Sequence, residues 1–167
     1  MIYCGIDPGK KGAISLITDV GAFGVWDMPL HDNGEIDVIE LAKILKKRPN
    51  IVYIEKAQAM PKQGVSSTFN YGKGYGKVLG LLELLGLPFE EIRPTVWKKA
   101  MGLSKMPKAE SVKLAGQLFH GADLKTKRGR LLDGRAEALL LAEYCCRYCD
   151  PKAFTHTVEH KPIICYR

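Results

Sequence analysis

The sequence has no apolar run of the roughly 18–20 residues that a helix needs to cross a bilayer. Its first residues, MIYCGIDPGKKG, contain no basic stretch followed by an apolar one, so we expect no secretion signal. Cysteine is scarce, with five in 167 residues, an odd number, and three of them stand together in CCRYC. That usage favours a reducing cytosol over a disulfide framework. We therefore expect a cytoplasmic protein that binds no membrane.

Internal repeats and a clear linker are also missing, and 46% of the residues are hydrophobic. This composition predicts one domain with a sizeable core over residues 1–150. We expect residues 151–167 to form a C-terminal tail that packs on this domain or extends from it. Gly5, Gly9 and Gly12 do not make the glycine fingerprint of a dinucleotide site, because no G-x-G-x-x-G opens a helix there.

Acidic residues are few in the middle of the chain. The net charge is +7 overall, but residues 56–130 carry 14 basic side chains against five acidic ones. Such a basic segment favours a polyanionic partner, of which nucleic acid is the commonest. A solvated basic surface without a partner is the alternative.

The apolar pattern predicts an α/β fold. Three strand-like runs joined by tight turns, MIYCGID, GAISLIT and GAFGVWDM, predict an antiparallel meander. A helix over 36–47, the strand NIVYIE, a helix over 66–86 and a weaker strand, FEEIRP, follow, and the last helix is predicted over 131–148. This order implies a sheet of mixed direction.

The helix over 66–86 is unusual because it contains glycine at positions 72, 74, 76 and 80. Each glycine lowers helix propensity by about 1 kcal/mol relative to alanine. Close approach of a partner protein or DNA would explain them. The alternative is a helix that begins only near Lys77.

Four acidic residues are placed so that they could bind a cation together. Asp7 and Glu55 end two predicted strands, and Asp133 and Glu137 are one turn apart at the start of the last helix. Clustered carboxylates repel and need a divalent cation, and their hard oxygens suit Mg²⁺ or Mn²⁺. Two such ions about 3.5–4 Å apart form a phosphodiester-cleaving centre.

Each acid also has a simpler interpretation. Asp7 could stabilise the turn at Pro8-Gly9, and Glu55 could pair with a lysine. Asp133 could be an N-cap or first-turn acid, and Arg135 or another base could balance Glu137.

Five stretches resemble RuvC-like Holliday junction resolvases of the RNase H-like (retroviral integrase) superfamily, and they occur in that family's order: YCGIDPGKKGAISLI, VYIEKAQAMPKQG, NYGKGYGKVLGLLELLG, IRPTVWKKAMG and DGRAEALLLAEY. The resemblance covers residues 2 to about 144. The compact chain with its Cys-rich end looks more like phage-borne members than the cellular bacterial enzyme.

The resemblance implies an RNase H-like fold, in which three antiparallel and two parallel strands form a mixed five-stranded sheet flanked by helices. It also implies a homodimer that binds branched DNA, acts in DNA recombination and repair, and nicks four-way junctions symmetrically with two Mg²⁺ ions per site, for which Mn²⁺ could substitute. Asp7, Glu55, Asp133 and Glu137 match the family's catalytic, metal-binding acids. The chain departs from the family at Glu137, because the bacterial enzyme has two aspartates three residues apart.

The basic residues predicted to contact DNA are Lys56, Lys62, Lys98, Lys99, Lys105, Lys108, Lys127, Arg128 and Arg130. Solvated surface side chains are the alternative for each of them. Met60 or Phe69 could take the place of the family's aromatic side chain at the junction crossover. Tyr71, Tyr75 and Trp97 could stack on opened bases, although core packing is favoured for Trp97.

Cys146 and Cys149 with His156 and His160 have some features of a zinc site, but cysteines at the end of an apolar helix more often pack as small hydrophobes. Two functional alternatives remain open. One is an RNase H-like nuclease for RNA or RNA–DNA hybrid, and the other is a non-catalytic module that binds branched DNA.

Overall fold

One mixed sheet forms the centre of the computed structural model, which describes residues 1–58, 64–149 and 161–162. The strands are β1 (Ile2–Ile6), β2 (Ala13–Thr18), β3 (Ala22–Asp27), β4 (Ile51–Glu55), β5 (Phe89–Ile92) and β6 (Lys161–Pro162). Their order across the sheet is β5-β4-β1-β2-β3-β6. β1, β2 and β3 are antiparallel, whereas β4 runs parallel to both β1 and β5. The predicted five-stranded mixed sheet is confirmed, and the two-residue β6 adds a short parallel edge beside β3.

Five helices accompany the sheet within the described residues: α1 (Val38–Leu45), α2 (Val65–Leu84), α3 (Pro94–Ala100), α4 (Lys108–Leu118) and α5 (Asp133–Cys149). α1 begins later than the predicted 36–47 because Asp37 is its N-cap and accepts hydrogen bonds from the N–H groups of Ile39 and Glu40. α2 is helical throughout, so the alternative of a helix beginning near Lys77 is wrong. It ends before Gly86, whose φ of +61° is the left-handed conformation common after a helix.

The helices cover both faces of the sheet, because alternate strand residues face opposite ways. Cys4 and Ile6 of β1 pack with α1 and α2 on one face. Tyr3 of β1 and Tyr53 of β4 pack on the other face, with α3, α4 and α5. The result is a three-layer arrangement in which α5 lies directly on β1 and β2.

Two glycines bring α5 against the strands. A Cβ atom at Gly5 of β1 would lie 2.2 Å from the carbonyl oxygen of Ala138, and one at Gly134 would lie 2.1 Å from the carbonyl oxygen of Lys11. Any larger residue at either position would push the helix off the sheet. The first turn of α5 is therefore held beside the β1–β2 turn, which contains Pro8 and Gly9.

No helix in the described part of the chain is long and apolar enough to span a membrane. The predicted boundary between a domain over 1–150 and a tail over 151–167 stays a prediction. Apart from β6, that tail lies outside the described residues, as do Met60, Lys62, His156 and His160.

Candidate active site

Asp7 and Glu55 are placed side by side by the register of two parallel strands. Ile6 of β1 is paired with Ile54 of β4, so the acids that follow them emerge at the same edge. Adjacent strands lie about 4.8 Å apart. By alternation from Tyr3 and Tyr53, both carboxylates belong to the face that carries α5.

α5 supplies the other two acids. Glu137 lies at its inner face with 7% of its surface exposed, and Asp133 is in its first turn. Lys98 of α3 donates a hydrogen bond of 2.8 Å to Glu137, and Lys108 of α4 donates one to Asp133. Two lysines from two different helices therefore neutralise the acids of α5.

The pKa values show that Asp7, Glu55 and Glu137 share one electrostatic environment. Burial raises the pKa of Asp7 to about 6; the N–H of Gly9 opposes this shift, and the charge of Glu137 adds to it. Burial raises the pKa of Glu55 to about 7, against the hydrogen bond from Trp97 and with the charges of Asp7 and Glu137 adding to the rise. Ionising both groups is therefore costly unless more positive charge arrives.

Asp133 lies at the margin of this cluster. The hydrogen bond from Lys108 lowers its pKa, so this carboxylate already has its counter-charge. The pKa of Lys108 is raised, chiefly by its hydrogen bond to Asp133. Burial opposes this rise, and the negative charges of Asp133, Glu137 and Asp7 add to it. Its ammonium group thus lies between the marginal acid and two of the other three, Glu137 and Asp7.

The four acids suit a hard divalent cation by chemistry, since every donor is a carboxylate oxygen. As the side chains stand, no three His, Cys, Asp or Glu residues in the described ranges form a ready metal-binding group. The ammonium groups of Lys98 and Lys108 already pair with two of the acids. A cation would have to compete with both lysines.

The simpler interpretations of the acids can now be compared with the contacts. Asp7 does stabilise its turn, accepting a hydrogen bond of 3.2 Å from the N–H of Gly9. Asp133 is the first-turn acid that its position predicted. A base does balance Glu137, as expected, but it is Lys98 and not Arg135, because Arg135 pairs with Asp27 at 2.7 Å and with Asp123 at 3.0 Å. Two residues along a helix is about 200° of rotation, so Arg135 and Glu137 leave α5 on opposite sides.

Trp97 is a functional neighbour that the sequence did not reveal. It is fully buried, as favoured, but its indole N–H donates a hydrogen bond of 2.8 Å to Glu55. A buried indole N–H usually finds an acceptor, and this was the available signal. Trp97 fixes the orientation of Glu55 from the apolar side of the site.

The predicted DNA-contacting residues divide by their partners. Lys98 and the exposed Lys108 pair with the acids. The other exposed ones are Lys99, Lys105, Lys127, Arg128 and Arg130. Lys56 follows Glu55 and forms an ion pair of 3.7 Å with Glu91. Lys62 lies outside the described residues.

The run KTKRGR forms a tight hairpin. Lys125 and Leu131 pair as an antiparallel bridge, and Thr126 and Gly129 close the turn, where Gly129 has a φ of +80°. We call residues 125–131 the basic hairpin. It leads directly into α5 and so presents its charge at the edge of the sheet where the acids lie.

The remaining described candidates are either exposed or packed against other side chains of the fold. Phe69 is 70% exposed on α2, and the hydroxyl of Tyr75 donates to Glu91. The thiol of Cys149 lies 2.9 Å from the hydroxyl of Tyr53 and donates to it, and Cys146 is half-buried. Cys146 and Cys149, the two described residues of the possible zinc site, thus pack against the core.

The strand order, the helices on both faces and α5 over the acid-bearing face define an RNase H-like α/β fold, as predicted. RuvC of Thermus thermophilus in complex with a Holliday junction substrate has this fold, with a TM-score of 0.63 and 19% identity over 92% of this chain and 98% of that one. A structure of Thermus thermophilus RuvC gives a TM-score of 0.57 and 20% identity over 88% and 96% of the two chains. No protein-family model and no curated protein sequence matches the chain. The resemblance to RuvC-like resolvases is therefore confirmed in the fold.

Proposed function

We propose that this protein is a structure-selective DNA endonuclease that resolves four-way junctions, in recombination and repair, by metal-dependent hydrolysis with symmetric nicks. The observation that supports it most is the set of Asp7, Glu55 and Glu137, whose charges act on one another at one edge of a RuvC-like fold. Asp7 and Glu55 are half-buried acids with raised pKa values, and such groups are costly to keep for structure alone.

Asp7, Glu55, Glu137 and Asp133 are the residues that would hold Mg²⁺ or Mn²⁺. When bound, a pair of such ions supplies an activated water and offsets charge at the scissile phosphate. The chain's own groups do the rest. Trp97 orients Glu55, and Lys98 and Lys108 bring positive charge to the edge where a phosphodiester would lie.

A homodimer follows from symmetric nicking, since two related cuts need two sites about a twofold axis. α2 offers a surface for it. A Cβ at Gly72, Gly76 or Gly80 would meet no atom within 4 Å, and Val65 and Phe69 are exposed. These five residues recur every three or four positions, so they lie on one face, which we call the outer face of α2.

The test is cleavage of a synthetic four-way junction and a linear duplex by wild type and by Asp7→Asn, with and without Mg²⁺. We expect wild type to cut the junction only with metal and to leave the duplex intact. Asp7→Asn should cut at least about 100-fold more slowly and still bind the junction. Cutting that survives Asp7→Asn would contradict the proposed centre.

The two ion pairs favour one alternative, a non-catalytic module for branched DNA in which the acids serve to hold Lys98 and Lys108. In that case purified wild type would bind the junction tightly and cut nothing in Mg²⁺ or Mn²⁺. The same assay decides between the two.

A further inference from the structure

Arg135 leaves the first turn of α5 on the side opposite Asp133 and Glu137 and forms a network of hydrogen bonds there. Its Nε and Nη2 atoms donate to the two carboxylate oxygens of Asp27, at 2.7 and 2.9 Å. Its Nη1 atom donates at 3.0 Å both to the carbonyl oxygen and to a carboxylate oxygen of Asp123. Four hydrogen bonds from one guanidinium group, which has five N–H donors, thus go to these two aspartates.

Asp27 connects this guanidinium group to the sheet. It is the last residue of β3 and is paired in register with Ala13, whose carbonyl oxygen accepts a hydrogen bond of 3.0 Å from the N–H of Asp7. Asp27 therefore lies at the same edge of the sheet as Asp7, two strands away. The hydrogen bond from Arg135 lowers the pKa of Asp27; burial opposes this shift, and the charges of Arg135 and of Arg130 in the basic hairpin add to it.

Asp123 connects the same guanidinium group to the basic hairpin. It follows α4 and lies two residues before Lys125, where the hairpin begins. The N–H of Leu132 donates a hydrogen bond of 2.9 Å to the carbonyl oxygen of Leu124, which joins the two ends of the hairpin beside this contact. Arg135 thus links α5, the end of β3 and the base of the hairpin.

This network restrains geometry more than it adds stability. The side chains of Asp27 and Asp123 are 63% and 73% exposed, and exposed ion pairs contribute little to folding. A guanidinium group that meets both oxygens of a carboxylate fixes orientation as well as distance. The contact of Gly134 with the backbone of Lys11 fixes how closely α5 approaches the sheet, and the fork on Arg135 opposes rotation of its first turn.

We infer that Arg135 is a positioning residue. By anchoring the first turn of α5 to β3 and to the base of the hairpin, it holds Asp133 and Glu137 where they can share a divalent cation with the two acids at the strand ends. This inference rests on the proposed nuclease function and deepens it. Because the four hydrogen bonds of Arg135 go to Asp27 and Asp123, its effect on the acids passes through the backbone of α5.

Three substitutions separate position from stability. Arg135→Met removes all four hydrogen bonds, and Arg135→Lys keeps the positive charge but replaces the fork by a point charge. Arg147→Met is the matched control, because Arg147 lies on the same helix about three turns away and pairs with Glu143 at 2.7 Å. The side chain of Glu143 is only 10% exposed, so the control should lose at least as much stability as Arg135→Met.

The first measurement is thermal unfolding of the DNA-free protein against Mn²⁺ concentration. Without metal, Arg135→Met should unfold about 2–4 °C below wild type. The Mn²⁺ concentration that gives half of the stabilisation should rise about tenfold in Arg135→Met and stay unchanged in Arg147→Met. Arg135→Lys should show a smaller rise, and it serves as the test if Arg135→Met does not fold.

The second measurement is the rate of junction cutting against Mg²⁺ concentration, with protein in excess over the junction. Arg135→Met should cut about tenfold more slowly than wild type at low Mg²⁺ and recover most of the rate at high Mg²⁺. This recovery is expected because excess cation compensates for weaker binding by displaced acids. The rate of Arg147→Met should depend on Mg²⁺ as that of wild type does.

The outcomes distinguish the positioning role from the nuclease function. If wild type cuts the junction and Arg135→Met matches it in both metal titrations, the positioning role is overturned and the nuclease stands. An equal shift in Arg147→Met would also overturn that role, since loss of stability alone would explain the effect, and so would a wild type that gains no stability from Mn²⁺. A protein that never cuts, but whose Mn²⁺ midpoint rises in Arg135→Met alone, would support the positioning role and reject the nuclease.

Discussion

Asp7 and Glu55 are held in positions that cost folding free energy. Each is an ordinary carboxylate placed at a strand end, beside another acid and under a helix. Their raised pKa values indicate that bringing these two ionised carboxylates together costs folding free energy. A protein selected for stability alone would have amides at these positions.

This cost predicts how stability depends on pH. The ordinary pKa values of 3.8 for Asp7 and 4.5 for Glu55 rise to about 6 and 7 in the folded state. Between about pH 4 and 7 the folded protein keeps protons that the unfolded chain has lost, so these two groups lower the free energy of unfolding as pH rises through that window. Asp7→Asn should therefore stabilise the metal-free protein at pH 8, on the order of 2–3 kcal/mol, and have little effect at pH 4.

The measurement is chemical unfolding in EDTA at both pH values, with Asp32→Asn as the control, since Asp32 is exposed. Adding Mn²⁺ at pH 8 should stabilise wild type more than Asp7→Asn. Equal stability of wild type and Asp7→Asn at pH 8 would show that Asp7 is not held at a cost.

We expect Lys98 to stabilise the metal-free protein through its ion pair with Glu137. It contacts Glu137, whose side chain is only 9% exposed, and Lys98→Met would leave that carboxylate without its ammonium partner. Breaking a buried ion pair on one side costs about 3–5 kcal/mol. The free energy of unfolding of Lys98→Met in EDTA should fall by about that amount.

Divalent cations should restore more stability to Lys98→Met than to wild type, because the competing ammonium group is gone. Lys99→Met is the matched control, since Lys99 is exposed on the same short helix. Thermal unfolding against Mn²⁺ concentration measures both effects. A variant that is destabilised but gains nothing extra from Mn²⁺ would separate Glu137 from the metal site.

The sequence predicted most of the helices and strands that the structure shows. The meander, the parallel strand after it, the glycine-bearing helix and the last helix all follow from local apolar patterns and turn residues. The four acids were chosen as candidates from strand ends and helix spacing, and their role stays a prediction. Contacts between distant elements could not be predicted: nothing in the periodicity pairs Trp97 with Glu55, or Lys98 rather than Arg135 with Glu137.

The basic hairpin is expected to contribute phosphate contacts to junction binding. Lys127 and Arg128 are exposed at its turn, at the same edge as the acids. Each phosphate contact contributes about 0.9 to the slope of log affinity against log salt concentration. Replacing Lys127 and Arg128 by alanine together should lower the slope for junction binding by up to about 2.

Fluorescence anisotropy with a labelled four-way junction over a range of salt concentrations gives that slope. The control replaces Lys46 and Lys47 by alanine, which removes the same charge at the C-terminus of α1, at the other edge of the sheet. An equal loss in both variants would mean that only net charge matters. An unchanged slope in the hairpin variant would place the DNA elsewhere.

The three-layer fold brings to one edge of the sheet charged side chains that are spread over more than a hundred residues of the chain. The first strand, the fourth strand and the last helix supply acids, while α3, α4 and the basic hairpin supply cations. The outer face of α2 is exposed and carries none of these acids or cations. Under the proposed function, the described part of one molecule would have one edge for cleavage and a separate surface that could bind a second copy.

The last prediction concerns that second copy. Gly76 lies in the middle of the outer face of α2, and a side chain there meets nothing within 4 Å in the described chain, so Gly76→Arg should fold. In a dimer the same face would be close-packed, and arginine would force the copies apart. Sedimentation velocity should show a dimer for wild type and a monomer for Gly76→Arg. Gly116→Arg on α4 is the control, because it makes the same change at an exposed helical glycine.

Cleavage of a supercoiled plasmid with an extruded cruciform connects this state to function. Two nicks made within one bound complex release linear product, whereas independent nicks release open circles first. Wild type and Gly116→Arg should give mainly linear product, and Gly76→Arg should give open circles because its two sites are no longer related by a twofold axis. If Gly76→Arg stays dimeric and still linearises the plasmid, the two copies do not meet through α2.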